Sequence, residues 1–176
     1  LTQKLLTLTK LDSSVEEERE ILDAAPVVRK VVRMLLPLAR LRGIGIDTTF
    51  EPDCSVMTVE DDLYQIVFNL TENAIKYNRQ DGWVGVSVRR AGDQVELRVE
   101  DSGAGIPPES MEHIFERFYR VDKARSRAAG GAGLGLSIVH DMVERSYGTI
   151  TVQARPGGGT IFTVRFPHFD LEEDET

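Results

Sequence analysis

The stretch Asp62–Asn78, DLYQIVFNLTENAIKYN, constrains this chain more than any other. Leu63, Ile66, Val67, Leu70 and Ala74 recur at helical spacing, so one stripe of an α-helix faces a core. Gln65, Asn69, Glu72, Asn73 and Lys76 recur on the other side at i, i+4, i+7, i+8 and i+11. Asn is a poor residue for a helix interior, costing roughly half a kcal/mol against Ala. Two Asn four apart on one face therefore ask for a reason. Either the face is simply solvated, or it presents amide oxygens, a carboxylate and an ammonium to a phosphate and its metal ion. The helix alone leaves both readings open.

The surrounding pattern gives that helix a setting. Val28, Val31, Val32, Leu35 and Ala39 make a buried stripe, with Pro26 at a helix start and Gly43 as a C-terminal stop. Pro37, inside this pattern, is expected to kink the helix or remove one bond. Ile44, Ile46, Thr48 and Phe50 then alternate, and Val56–Val59 is a second short apolar run; both read as strands. Val84, Val86 and Val88 alternate, Ala91–Asp93 turns, and Val95, Leu97 and Val99 alternate again, which is a hairpin. Asp101–Pro108 reads as a loop and Glu109–Phe118 as a short helix. Leu136, Ile138, Val139, Met142 and Val143 predict another amphipathic helix. Thr149–Ala154 and Thr160–Phe166 predict a second hairpin over Arg155–Gly159.

Hairpins interspersed with a few helices predict an α+β fold. The expected form is a two-layer α/β sandwich, with a mixed, mostly antiparallel sheet and helices packed on one face. At its edges, Leu1, Leu5, Leu8 and Leu11 form a narrow seam that reads as the end of an amphipathic helix. Asp12–Asp23 is acidic and reads as a linker, and Leu171–Thr176 as an acidic tail without structure of its own. The chain starts at Leu1 inside a helical pattern, as a fragment of something longer would.

Composition removes several function classes. A net charge of −8 disfavours non-specific binding to nucleic acid or to an anionic membrane. Cys54 is the single cysteine, so no intrachain disulfide can form. His113, His140 and His168 are far apart, with neither CxxC nor HExxH, so no zinc site is expected. No apolar run reaches membrane-spanning length, and no signal peptide is recognised.

Three further stretches could carry chemistry. In Val99-Glu100-Asp101-Ser102-Gly103-Ala104-Gly105-Ile106 a strand delivers Asp101 to its end, and two glycines follow at alternate positions. A carboxylate there can accept from an exocyclic amine such as that of adenine, though an Asp-Gly turn has the same pattern. Gly130–Leu136, GGAGLGL, opens a helix, and a Gly-rich loop at a helix N-terminus is a phosphate site. It is neither a Walker loop nor a dinucleotide fingerprint. Between them, Arg117, Arg120, Lys123, Arg125 and Arg127 cluster in an otherwise acidic protein, as in a mobile lid that neutralises phosphates.

Together these segments resemble the catalytic, ATP-binding domain of bacterial sensor histidine kinases, within the ATPase superfamily shared with DNA gyrase and the mismatch-repair ATPases. Asn69-Leu70-x-x-Asn73-Ala74-x-Lys76-Tyr77 matches the N box, and Asp101-x-Gly103-x-Gly105-Ile106 the G1 box. Ile114–Arg120 matches the F box, and Gly131-x-Gly133-Leu134-Gly135-Leu136 the G2 box. Gly157–Thr160 looks like the last Gly box. The resemblance covers roughly Ala25 to Pro167, and five boxes in the right order are specific. Asn78 stands where Ser or Thr is common, and Ser146-Tyr147-Gly148 where His-Gly-Gly is common.

The resemblance implies residue roles. Asn73 would offer its side-chain oxygen to Mg²⁺. Asn69 and Lys76 would reach the phosphates, and Tyr77 would line the pocket. Asp101 would read the adenine amine, with Gly103, Gly105 and Ile106 shaping its loop. Tyr119, Arg120 and one of Arg125 or Arg127 would contribute from the lid. Gly131, Gly133, Leu134, Gly135 and Leu136 would close over the phosphates, and Thr160 would complete the site. Asn69, Lys76 and Arg120 are the expected catalytic residues.

The implied reaction transfers the γ-phosphoryl group of ATP to a histidine. Family hydrolases generally place a Glu where this chain has Asn69, which favours transfer to a protein residue over water activation. The alternatives are a non-catalytic nucleotide-binding or interaction module, or another ATPase of the superfamily, including an anti-sigma Ser/Thr kinase. None of the three histidines lies in a phosphoacceptor setting. The expected division is therefore 1–14, the end of a dimerisation-hairpin helix; 15–170, the catalytic domain; and 171–176, a tail. Expected partners are ATP and ADP, the dimerisation domain of the parent chain and a response regulator. No nucleic acid and no membrane contact by this stretch are expected. The implied location is cytoplasmic, with anchoring of the parent left open.

Overall fold

The computed structural model describes residues 19–119 and 135–171. The Leu1–Leu11 seam, most of the acidic linker, the stretch 120–134 and the tail after Leu171 lie outside the described residues.

Strand β1 (Glu20–Asp23) leads into helix α1 (Ala24–Leu41), then β2 (Gly45–Phe50) and β3 (Ser55–Thr58). Helix α2 (Glu60–Lys76) carries the N-box residues. The hairpin β4 (Trp83–Ala91) and β5 (Gln94–Asp101) follows, then a 3₁₀ turn at Pro108–Ser110. Helix α3 (Gly135–Arg145) and the hairpin β6 (Thr149–Ala154) and β7 (Thr160–Pro167) complete the fold. The main sheet has five strands in the order β2-β4-β5-β7-β6. Only the β2–β4 pair in it is parallel.

Period-two alternation and register together build the core. Val86 lies opposite Val99 and Val99 opposite Phe162, while Val88, Leu97 and Val164 form the next row. These rows are buried with Val28, Val31, Leu35, Leu63, Ile66, Val67, Leu70, Ile138, Val139 and Val143 of the helices. The other face is covered by charge pairs: Glu96 with Arg98 at 3.1 Å and Arg165 at 3.5 Å, and Glu100 with Arg155 at 3.5 Å. The α+β sandwich expected from the sequence is the fold observed.

Both long helices start and stop for local reasons. The Asp23 carboxylate accepts from the Ala25 N–H at 3.2 Å and caps α1. At the far end Arg42 donates to the Lys76 carbonyl at 3.1 Å, satisfying an orphan group at the end of α2. Pro37 does not end α1: residue 37 lacks an N–H, so one helical bond is missing, and the position is exposed to solvent.

Two expectations need correction. Residues Glu20–Asp23, expected in the linker, form β1 and pair antiparallel with β3, Leu22 opposite buried Val56. Glu109–Phe118 is not an α-helix. The Pro108–Ser110 turn runs into further i→i+3 bonds, His113 N–H to Ser110 and Glu116 N–H to His113, both 2.9 Å. The tight winding lets neighbouring residues anchor together: Ile114 is buried, and Phe115 packs on Phe162 and His140. Phe118, at φ +66°, prevents helical continuation.

Candidate functional site

The polar face of α2 is not a solvated one. None of Gln65, Asn69, Glu72, Asn73 and Lys76 is exposed, and Asn69 is only 6% exposed. Asn69 Nδ2 donates to the Gln65 carbonyl at 2.8 Å, one turn back on the same helix. That bond uses one of the two N–H donors of the amide and leaves the second N–H and the oxygen for a ligand. Asn73 is half-buried, and its side chain has no hydrogen-bond partner among the described residues. Lys76 lies 3.4 Å from Glu72, one turn earlier. Tyr77 caps the helix, its N–H bonded to the Asn73 carbonyl at 3.0 Å.

Asp101 ends β5 in the row of Val84 and Thr160. It continues the parity of Val95, Leu97 and Val99, so its carboxylate is on the helix side of the sheet. The Gly103 N–H donates to Asp101 Oδ1 at 2.8 Å. Burial pushes the Asp101 carboxyl above the usual carboxylate range; N–H bonds from Gly103 and Thr160 and the charge of Arg155 oppose the shift. Gly103 sits hard against the end of α2. A Cβ there would lie 2.8 Å from the Tyr77 carbonyl oxygen and 3.0 Å from Asp101 Oδ1. The first and second boxes are thus in direct contact. Gly105 approaches the Gly159 carbonyl, bringing in the last Gly box, and Thr160 is buried beside Asp101.

The F-box residues pack at the same end of the sheet. Tyr119 donates its hydroxyl to Ser110 at 2.8 Å, and its ring lies 5.6 Å from that of His113. Arg117 approaches Asp141 of α3 at 3.7 Å. Ile106 and Leu136 are half-buried against the core, and Gly135 opens α3. Arg120, Gly131, Gly133 and Leu134 lie outside the described residues.

Two contributors were not singled out in the sequence. Gly159 presses its backbone on that of Asp101, and the charge of Arg155, paired with Glu100 on the other face of the sheet, favours the ionised form of Asp101. The glycine run was the signal for the first; nothing in the sequence marks the second. A separate group, Asp53, His168 and Asp170, lies by the β4–β5 turn, the opposite end of β5 from Asp101. The Arg90 guanidinium, 2.7 Å from Asp53 and 2.9 Å from His168, fills the place a cation would take there.

The donor set around α2 and Asp101 is complementary to a nucleoside triphosphate. Two amides and an ammonium are groups that suit phosphate and a hard cation, and a carboxylate can accept from an exocyclic amine. Comparisons with known proteins agree. The model of the family described as histidine kinase-, DNA gyrase B-, and HSP90-like ATPase matches residues 58–170. The sensor-like histidine kinase SenX3 of Mycobacterium tuberculosis is 39% identical over 145 residues, 82% of this chain and 35% of SenX3. The sensor protein kinase WalK of Staphylococcus saprophyticus is 35% identical over 183 residues, 99% of this chain and 29% of WalK. Full-length ShkA, solved in complex with AMPPNP, is similar in structure, with a TM-score of 0.83 at 27% identity over 97% of this chain and 36% of ShkA. The chain thus spans about a third of the length of the curated relatives it matches.

Proposed function

We propose, from the premise that this chain belongs to the histidine kinase-, DNA gyrase B- and HSP90-like ATPase family, that it is the ATP-binding catalytic domain of a sensor histidine kinase. The observation that carries this reading is the contact at Gly103, which sets the Asp101 carboxylate beside the Tyr77 end of the N-box helix. Asp101 accepts from the adenine amine. Asn69 and Lys76 reach the phosphates, with Tyr77, Gly103, Gly105, Ile106, Tyr119 and Thr160 shaping the pocket. Arg120, Gly131, Gly133, Leu134, Gly135 and Leu136 close over the phosphates. Asn73 holds Mg²⁺ through its amide oxygen; the ion would supply charge neutralisation on the phosphates.

The γ-phosphoryl group passes from ATP to an imidazole nitrogen on the dimerisation domain of the parent chain, leaving ADP. The acceptor is none of the three histidines here. His113 bonds Glu116 at 3.1 Å, His140 lies 3.5 Å from Glu144, and His168 is held by Arg90. A response regulator then takes the phosphoryl group, in the cytoplasm. No helix among the described residues is long and apolar enough to cross a membrane.

Thermal unfolding with Mg-ATP and Mg-GTP tests the pocket. Ligand at a hundred times its Kd stabilises by about 2.7 kcal/mol, roughly 5–10 °C for a domain this size. ATP should shift the melt, GTP should not, and Asp101→Asn should lose the shift. No shift at millimolar nucleotide would leave an interaction module on the same fold. Rapid steady hydrolysis by the chain alone would point to a hydrolase instead.

A further inference from the structure

Three separate pieces of chain meet at Asn78, directly behind the candidate site. Asn78 Nδ2 donates to the Trp83 carbonyl at the start of β4, at 2.9 Å. Its Oδ1 accepts from the Arg79 N–H at 2.9 Å. The Ser102 hydroxyl accepts from the Trp83 N–H at 2.7 Å, and directs its own proton at Asn78 Oδ1 or the Trp83 carbonyl, both 3.3 Å away. The Ser102 N–H donates to the same carbonyl at 3.1 Å. Ser102 is 6% exposed, so water competes little for these bonds.

The space around this knot is closed. A Cβ on Gly82 would lie 2.2 Å from Asn78 Oδ1, and one on Gly103 would lie 3.1 Å from Asn78 Cα. Asn78 follows Lys76 and Tyr77 by two residues and one, and Ser102 sits between Asp101 and Gly103. The knot therefore ties the phosphate-facing end of α2 to the loop that carries the base-reading carboxylate.

We propose that Asn78 is a specificity-determining positioning residue, a strut that fixes the separation of the phosphate-binding end of α2 from Asp101 so that ATP engages both at once. This rests on the nucleotide reading above. A ligand that spans two subsites gains the full benefit of both only when their separation is set beforehand; otherwise binding must supply the ordering. With the strut removed, contacts to phosphate survive and the base contact drifts. Affinity for ATP then falls toward that of the bare polyphosphate. A side chain that merely stabilised the fold would lower the melting temperature and leave the ratio of the two affinities unchanged.

The test measures Kd for Mg-ATP and for magnesium triphosphate, well below the melt, in the wild type, Asn78→Ala, Ser102→Ala and Leu35→Ala. Leu35 lies in α1, 4% exposed in the core, and serves as the control for lost stability alone. In Asn78→Ala and Ser102→Ala, ATP affinity should fall about tenfold, one hydrogen bond's worth of alignment, while triphosphate affinity changes less than about twofold. Leu35→Ala should keep the wild-type ratio. An unchanged ratio in both knot variants overturns the strut and leaves the nucleotide reading standing. A wild type that binds neither ligand overturns both. If Asn78→Ala fails to fold, Ser102→Ala, which loses only a hydroxyl, decides the matter.

Discussion

Gly158 and Gly159 offer a controlled pair of perturbations. Their φ angles are +113° and +111°, so an Ala at either meets the same kind of backbone strain. That strain is about 1–2 kcal/mol, and the entropy an Ala removes from the unfolded chain returns about 0.4–1 kcal/mol. The surroundings differ completely. A Cβ at Gly158 would meet nothing within 4 Å, whereas one at Gly159 would lie 1.8 Å from the Asp101 carbonyl oxygen and 3.0 Å from Ser102 Cα. Both obstacles are backbone, so no side-chain rotation relieves the overlap. Relief requires moving the end of β5, an overpacking cost of about 1–3 kcal/mol or more. Gly158→Ala should therefore cost about 1 kcal/mol and Gly159→Ala about 2–4 kcal/mol, or roughly 3 °C against roughly 10 °C in melting temperature. Urea unfolding of both, with melts repeated in Mg-ATP, separates the terms. Only Gly159→Ala should also shrink the ATP-induced shift, since only it displaces Asp101. If the two variants unfold together, these glycines serve φ alone, and the close approach to Asp101 does not constrain the site.

The remaining predictions concern single side chains. Asn73→Ala should raise the stability of the free chain by about 0.5 kcal/mol, because Ala is the better helix former, while the Mg-ATP shift disappears. A lower melt without ligand would show that Asn73 serves the fold. Asp101 binds its proton more tightly in the folded than in the unfolded chain, so its contribution to stability is present below the ordinary carboxylate range and lost as pH rises through the raised value. Melts across acid pH should show this slope in the wild type and not in Asp101→Asn. ATP binding should have the opposite sign, weakening as pH falls through that same window. Asp62, 5% exposed and 3.2 Å from Arg145, is a buried partner whose replacement by Ala should cost about 3 kcal/mol. A loss under about 1 kcal/mol in urea would put the pair in the class of surface bridges.

The parts of the fold legible in sequence are those where one face alone is buried. Val84, Val86 and Val88 alternate because β4 packs on helices with one side and turns Gly85, Ser87 and exposed Arg89 to the other. Strand β1 escaped notice because EILD carries only two apolar residues and its partner β3 lies more than thirty positions away. Its place depends on contacts such as the Ala24 N–H to the Cys54 carbonyl, 3.0 Å, which no local pattern reports. Glu109–Phe118 misled in the other direction. Its composition suits a helix, but Pro107 and Pro108 open it as a turn, and the burial of Ile114 and Phe115 keeps it tight.

The candidate site divides along the same line. Its boxes were legible because each is a short local pattern, whereas the Asn78–Trp83–Ser102 knot joins three segments through space. Yet the aim of Asp101 was implicit in the alternation from the start. Val95, Leu97 and Val99 must face the helices, so parity sends the Asp101 carboxylate the same way. A slip of one residue would turn it to the other face, among Glu100, Arg155 and the Trp83 ring that lies over Gly85. The apolar register that builds the core is therefore also what points the half-buried carboxylate of the G1 loop at the N-box helix.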